Sequence, residues 1–130
     1  MDTEIFDLTT PDGPMRAFRA DPDGPPRGGI VVIQEAFGLN THIEDVTRRF
    51  AAAGYLAVAP ELFHRSDEPG PFSYDGFAAV IPAMAALSDE QTLADVEHGF
   101  FCDLRPAFAP DAAADTWVRT LRWFQRLDAP

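Results

Sequence analysis

Cysteine is nearly absent from this sequence: the 130 residues contain one, Cys102. No disulfide can close within the chain, and no metal site can be assembled from thiolates. A lone thiol fits a reducing compartment, so a cytoplasmic location is expected. Basic residues are scarce as well. Ten Lys and Arg stand against 21 Asp and Glu, a net charge of −11. That balance argues against nucleic acid and anionic membrane as partners, because both require a basic face. The first residues, Met1-Asp2-Thr3-Glu4, are acidic and lack a basic n-region followed by an apolar stretch, so no signal peptide is expected. No apolar run approaches the roughly 20 residues that span a bilayer. The histidines and carboxylates show no ligand spacing such as H-E-x-x-H, so no metal is expected. G-x-G-x-x-G is missing, which removes a dinucleotide reading, and no cofactor is expected.

What is present is the material of one globular domain. Hydrophobic residues make up 46% of the chain, enough for a modest core. The organising stretch is Gly29-Ile30-Val31-Val32-Ile33-Gln34-Glu35-Ala36-Phe37-Gly38-Leu39-Asn40. Its continuous β-branched run predicts a strand over 29–34 that is buried on both faces, as in a parallel sheet. In open α/β sheets ligands bind beyond the carboxyl ends of the strands, where Glu35, Ala36 and Phe37 fall.

Around that strand the chain reads in order. Residues 4–10 and 15–20 alternate in polarity about the turn Pro11-Asp12-Gly13-Pro14, which predicts an antiparallel hairpin at a sheet edge. A helix capped by Asn40 or Thr41 is predicted next, with Thr41-x-x-Glu44 in capping-box form and Ile43, Val46, Phe50 and Ala53 as its apolar face. Gly54 ends it, and Tyr55–Ala59 is a second buried strand. Strand, helix and strand form a βαβ unit with parallel pairing. Residues 75–87 are Ala-rich and helical with Pro82 inside. Ser88-x-x-Gln91 opens another helix, with Leu93 and Val96 facing inward, that is cut short at Glu97-His98-Gly99. Residues 111–127 give the strongest helical pattern, with Ala114, Trp117, Val118, Leu121, Phe124 and Leu127 on one face.

Three blocks carry a family resemblance. Val32-Ile33-Gln34-Glu35-Ala36-Phe37-Gly38-Leu39-Asn40, followed by His42-Ile43-x-Asp45-Val46, closely resembles the dienelactone hydrolase family of α/β-hydrolases. The similarity continues through Gly54-Tyr55-x-Ala57-x-Ala59-Pro60-Glu61-Leu62-Phe63. It resumes at His98-Gly99-Phe100-Phe101-Cys102-Asp103-x-Arg105-Pro106 and at Ala112-Ala113-Ala114-Asp115-x-Trp117-x-Arg119-Thr120-Leu121, which look like the family's final loop and final helix. The resemblance implies a partial α/β-hydrolase fold: an N-terminal antiparallel hairpin, a parallel βαβ unit and a C-terminal helix packed on the sheet. It also implies hydrolysis of a small carboxylic ester or enol lactone through a covalent acyl-enzyme.

The family's nucleophile sits in a G-x-C-x-G elbow, and none is found. The only glycines four apart are Gly24 and Gly28, and the residue between them is Pro26. We therefore expect residues 1–130 to form a single truncated domain whose central, nucleophile-bearing block is missing at a junction near 96–97. An internal deletion, a fragment or a misjoined gene would each produce that. The resemblance assigns His98 as general base, Glu35 as the glutamate of the nucleophile pocket and the Ala36 amide as one oxyanion-hole donor. Phe37, Arg65 and Tyr74 fall where the family places substrate contacts. No nucleophile is identified. Cys102, four residues from His98, suggests a Cys–His pair, but it follows His98 in the chain and nothing nearby lowers its thiol pKa. His42 and His64 read as surface histidines. A second reading is a non-catalytic remnant, or an interaction module that self-associates through an exposed sheet edge.

Overall fold

A computed structural model describes residues 1–100, the last four as backbone only. Four strands and three helices follow in the order β1 (Asp2–Thr10), β2 (Gly13–Asp21), β3 (Gly29–Val31), α1 (Thr41–Ala52), β4 (Leu56–Pro60), α2 (Phe77–Ala85) and α3 (Asp89–Phe100). The strands form one mixed sheet in the spatial order β1-β2-β4-β3. β1 and β2 make the antiparallel hairpin, with Leu8 opposite Met15 and Thr10 opposite Gly13. β2 also pairs antiparallel with β4, and β3 pairs parallel with β4, Ile30 opposite Ala57. The βαβ unit is therefore present, with α1 as its crossover. β3 is shorter than the predicted 29–34, although Val32 N–H still donates to Val58 O at 2.8 Å.

β2 and β4 lie inside the sheet, and each sends residues to two clusters. On one side Phe18, Ala20 and Ala59 pack with Val32 and Leu39 and with Ile43 and Ala51 of α1. On the other, Met15, Ala17 and Val58 pack with Leu8. Burial on alternating faces explains why β2 tolerates apolar residues at successive positions.

Asn40, not Thr41, caps α1: its side chain accepts from Ile43 N–H at 3.0 Å. Glu44 does not close a capping box. It accepts from Arg48 at 3.0 Å and lies 3.7 Å from Arg16. The buried face of α1 runs Ile43, Thr47, Ala51 rather than through Phe50 and Ala53, so the helix is turned from the predicted stripe. Thr47 is tolerated in the core because its hydroxyl donates to Ile43 O at 2.7 Å. Past the helix, Gly54 N–H donates to Ala51 O and Tyr55 N–H to Phe50 O, the paired bonds of a Schellman end. Gly54 has φ +92°, and a Cβ there would meet Arg27 Cδ at 2.9 Å, so both the backbone angle and the space call for glycine.

α3 lies against β4, β3 and β1. Its start follows the predicted cap: Gln91 N–H donates to the Ser88 hydroxyl at 3.2 Å. Two expectations fail on this helix. Leu93 points outward, 69% exposed, while Asp95 is buried. The helix also does not stop at Glu97 but runs on to Phe100, so His98 stands on its last turn and not in a loop. Cys102 and the predicted helix over 111–127 lie outside the described residues.

Candidate active site

The chain leaves β3 through Gln34 into a tight turn, Glu35-Ala36-Phe37-Gly38, closed by Gly38 N–H donating to Glu35 O at 3.2 Å. Gly38 has φ +86°, and a Cβ there would stand 3.3 Å from Pro69 O. A side chain would be strained in that conformation and crowd the neighbouring loop. Three bonds brace the turn. Gln34 Oε1 accepts from Leu62 N–H at 2.9 Å, joining the ends of β3 and β4. Phe37 O accepts from Phe72 N–H at 2.9 Å. Asn40, already the cap of α1, donates through Nδ2 to the Tyr74 hydroxyl at 3.2 Å.

Within this frame Glu35 is exposed at the tip of the turn, and Ala36 and Phe37 are half-buried. Among the described residues no acceptor meets the Ala36 N–H. The Phe37 ring meets Tyr74 edge to face, with centroids 4.7 Å apart, and Phe77 at 6.3 Å. Four of the expected residues, Glu35, Ala36, Phe37 and Tyr74, are thus brought together. Gln34, Asn40 and Phe77 complete the group, and sequence reasoning assigns none of the three a role in the site. Asn40 was legible as a cap, but its second bond to a residue 34 positions away was not.

Arg65 stands in a different cluster. Its guanidinium donates to both oxygens of Asp95, at 2.6 and 2.9 Å, and to Asp12 at 2.7 Å. These carboxylates hold it protonated more firmly than an ordinary arginine. His64 Nε2 lies 3.2 Å from Asp95 Oδ2 with its side chain buried, so His64 is a core partner and not a surface residue. The cluster ties the β1–β2 turn, the loop after β4 and α3 together. His42 is exposed in the first turn of α1. Nothing is described of the His98 side chain.

A third cluster is centred on Arg16 of β2, 3.6 Å from Glu61 and 3.7 Å from Glu44. Burial raises the Glu61 carboxyl above its ordinary range, and Arg16 opposes that rise only in part. Among the described residues no group of His, Cys, Asp and Glu could hold a metal ion, and no helix is long and apolar enough to cross a membrane.

A tight turn at the carboxyl end of a parallel strand thus presents an unengaged backbone N–H, able to donate to an incoming oxygen, beside an exposed carboxylate. The sequence profile of the dienelactone hydrolase family matches residues 15–93, which include this turn and the strands that carry it. The chain belongs to the dienelactone hydrolase family. A protein of Escherichia coli K12 described as "Putative carboxymethylenebutenolidase" is 42% identical over 87 residues, 65% of this chain and 31% of its own length. A protein of the same description from Azospirillum brasilense is 48% identical over 70 residues, 51% of this chain and 30% of its own. The solved structure of a "Putative Dienelactone Hydrolase" from Klebsiella pneumoniae superposes with a TM-score of 0.73 at 29% identity, over 85% of this chain and 47% of that one. The fold is thus that of the dienelactone hydrolases. The chain spans about a third of the length of these curated relatives and about half of the solved structure.

Proposed function

We propose that this dienelactone hydrolase family member carries the oxyanion-side half of a pocket for a small carboxylic ester or enol lactone. The observation that carries the reading is the braced turn 35–38 with its unengaged Ala36 N–H. In acyl transfer the carbonyl oxygen becomes an oxyanion, and a fixed backbone donor aimed at it lowers the barrier. Glu35, at the same turn, is the carboxylate that would face the attacking group, and His98 is the base that would take and return its proton. Phe37 and Tyr74 would contact the substrate. Arg65 would do so only by leaving Asp95 and Asp12.

The chain holds no glycine-flanked Ser or Cys elbow. With one oxyanion donor and no nucleophile, it is expected to hydrolyse esters slowly or not at all, since a missing donor alone costs about 3 kcal/mol. We place the missing block at a junction near 96–97. The test compares hydrolysis of a chromogenic ester by the chain and by His98→Ala. A rate that falls in the variant supports His98 as the base, and equal rates remove the catalytic role.

A second reading, an interaction module, is favoured by exposed apolar side chains. Among the described residues β3 is last in the strand order β1-β2-β4-β3, and Ile33, just beyond it, is 50% exposed. In this reading copies of the chain associate through the exposed apolar surface around Ile33 beside the sheet.

A further inference from the structure

Three aromatic rings meet at Phe37, the residue that follows Ala36, and one of them, Phe77, has no role in the reading above. Phe37 follows Ala36 directly and meets both Tyr74 and Phe77 edge to face, with interplanar angles of 72° and 67°. Tyr74 is 59% exposed and Phe77 53%, so two of the three rings present much of their surface to solvent. The Tyr74 ring and the backbones that carry the other two are nevertheless held in place. Phe72 N–H holds Phe37 O, Asn40 Nδ2 holds the Tyr74 hydroxyl, and Phe77 is the first residue of α2. An apolar surface already held in place loses little freedom when a ligand arrives. A ring face takes another ring in offset or edge-to-face contact more readily than it takes a saturated group of equal size.

We propose that Phe77 is a specificity-determining residue, and that Phe37, Tyr74 and Phe77 together form a wall for the aryl group of an ester whose carbonyl oxygen lies at the Ala36 N–H. The position of the carbonyl rests on the function proposed above, while the preference for an aryl group rests on the rings alone. The bracing bonds are made to Phe37 and Tyr74, the rings that meet before the start of α2. Farther along the helix Ile81 and Met84 are also exposed but carry no such bracing.

The test is binding, read by NMR on the full isotope-labelled chain, with two ketones that cannot be hydrolysed: acetophenone and cyclohexyl methyl ketone. Acetophenone is expected to bind about threefold to tenfold more tightly, the scale of one aromatic pairing, and to shift the ring signals of Phe37, Tyr74 and Phe77. Phe77→Leu keeps the apolar bulk and should reduce that preference to near one, while Phe77→Tyr should retain it. Equal affinities in the wild type, no detectable binding, or a preference unchanged in Phe77→Leu would overturn the proposal. So would concentration-dependent shifts of these rings without any probe, which would place a second copy of the chain on the wall. If the rings shift and the Ala36 amide does not, the aryl wall stands and the ester reading fails.

Discussion

At Glu61 two residue-scale effects oppose each other. Its carboxylate is buried at the end of β4, and the nearest cation, Arg16, is shared with Glu44 at nearly equal distance. Half of an arginine at 3.6 Å does not offset burial, so the folded state binds the Glu61 proton more readily than the unfolded chain. Below the ordinary carboxylate pKa both states are protonated and Glu61 has no effect on stability. Above it the unfolded chain releases the Glu61 proton while the folded state still holds it, so stability falls progressively until the raised pKa of the folded state is passed. Glu61→Gln should therefore gain stability relative to wild type between pH 4 and pH 7. Urea unfolding at the two pH values checks this; a difference that does not change with pH, or changes the other way, would contradict it.

At the scale of elements, α3 shows how a buried charge can override an apolar pattern. Hydrophobicity alone points Leu93 inward. In the fold Asp95 takes the interior position, because both its oxygens meet the Arg65 guanidinium and one also meets His64. Removing Asp95 strands a buried histidine and leaves Arg65 with only the exposed Asp12. Asp95→Ala should cost about 3 kcal/mol, the lower end for breaking a buried pair, since Arg65 keeps some access to water. Hydrogen exchange locates the effect: the amides of α3 should lose protection before those of β2 and β4. Uniform loss across the sheet would mean that α3 is not held by this cluster.

The hairpin, the βαβ unit and the ends of α1 were readable because turn chemistry and capping are local. The rotation of α1 onto Thr47 was not, because a threonine hydroxyl satisfied within its own helix looks polar in sequence and behaves as core. The turn at 35–38 was readable as a candidate site from its place at a strand end. Its bracing by Leu62, Phe72 and Tyr74 depends on partners 28 to 35 residues away and left no local trace. His64 gave no signal of its own, since only Asp95, far along the chain, makes it a buried partner.

At the scale of the whole molecule, charge and apolar exposure pull against each other. The net charge of −11 makes copies of the chain repel, while exposed Ile33, Ile81 and Met84 favour contact. Salt screens the first effect and leaves the second, with a Debye length of about 10 Å at 0.1 M. If the chain self-associates through the exposed apolar surface around Ile33, sedimentation should show more of the larger species as NaCl rises, and Ile33→Asp should reduce it. A monomer at every salt concentration would remove the interaction reading.

The sequence by itself determined the class of fold, the family and the position of the candidate site. These rest on local signals: a β-branched run, glycines where the backbone turns, and a strand-end motif. Only the tertiary structure decided which side chains are core and which stand beside the candidate site. It sent Asp95 inward and Leu93 outward, engaged Arg65 in ion pairs, carried the helix through His98, and set Phe77 beside Phe37. Each of those outcomes depends on a partner distant in the chain, and a residue's local pattern does not record what the fold brings to face it.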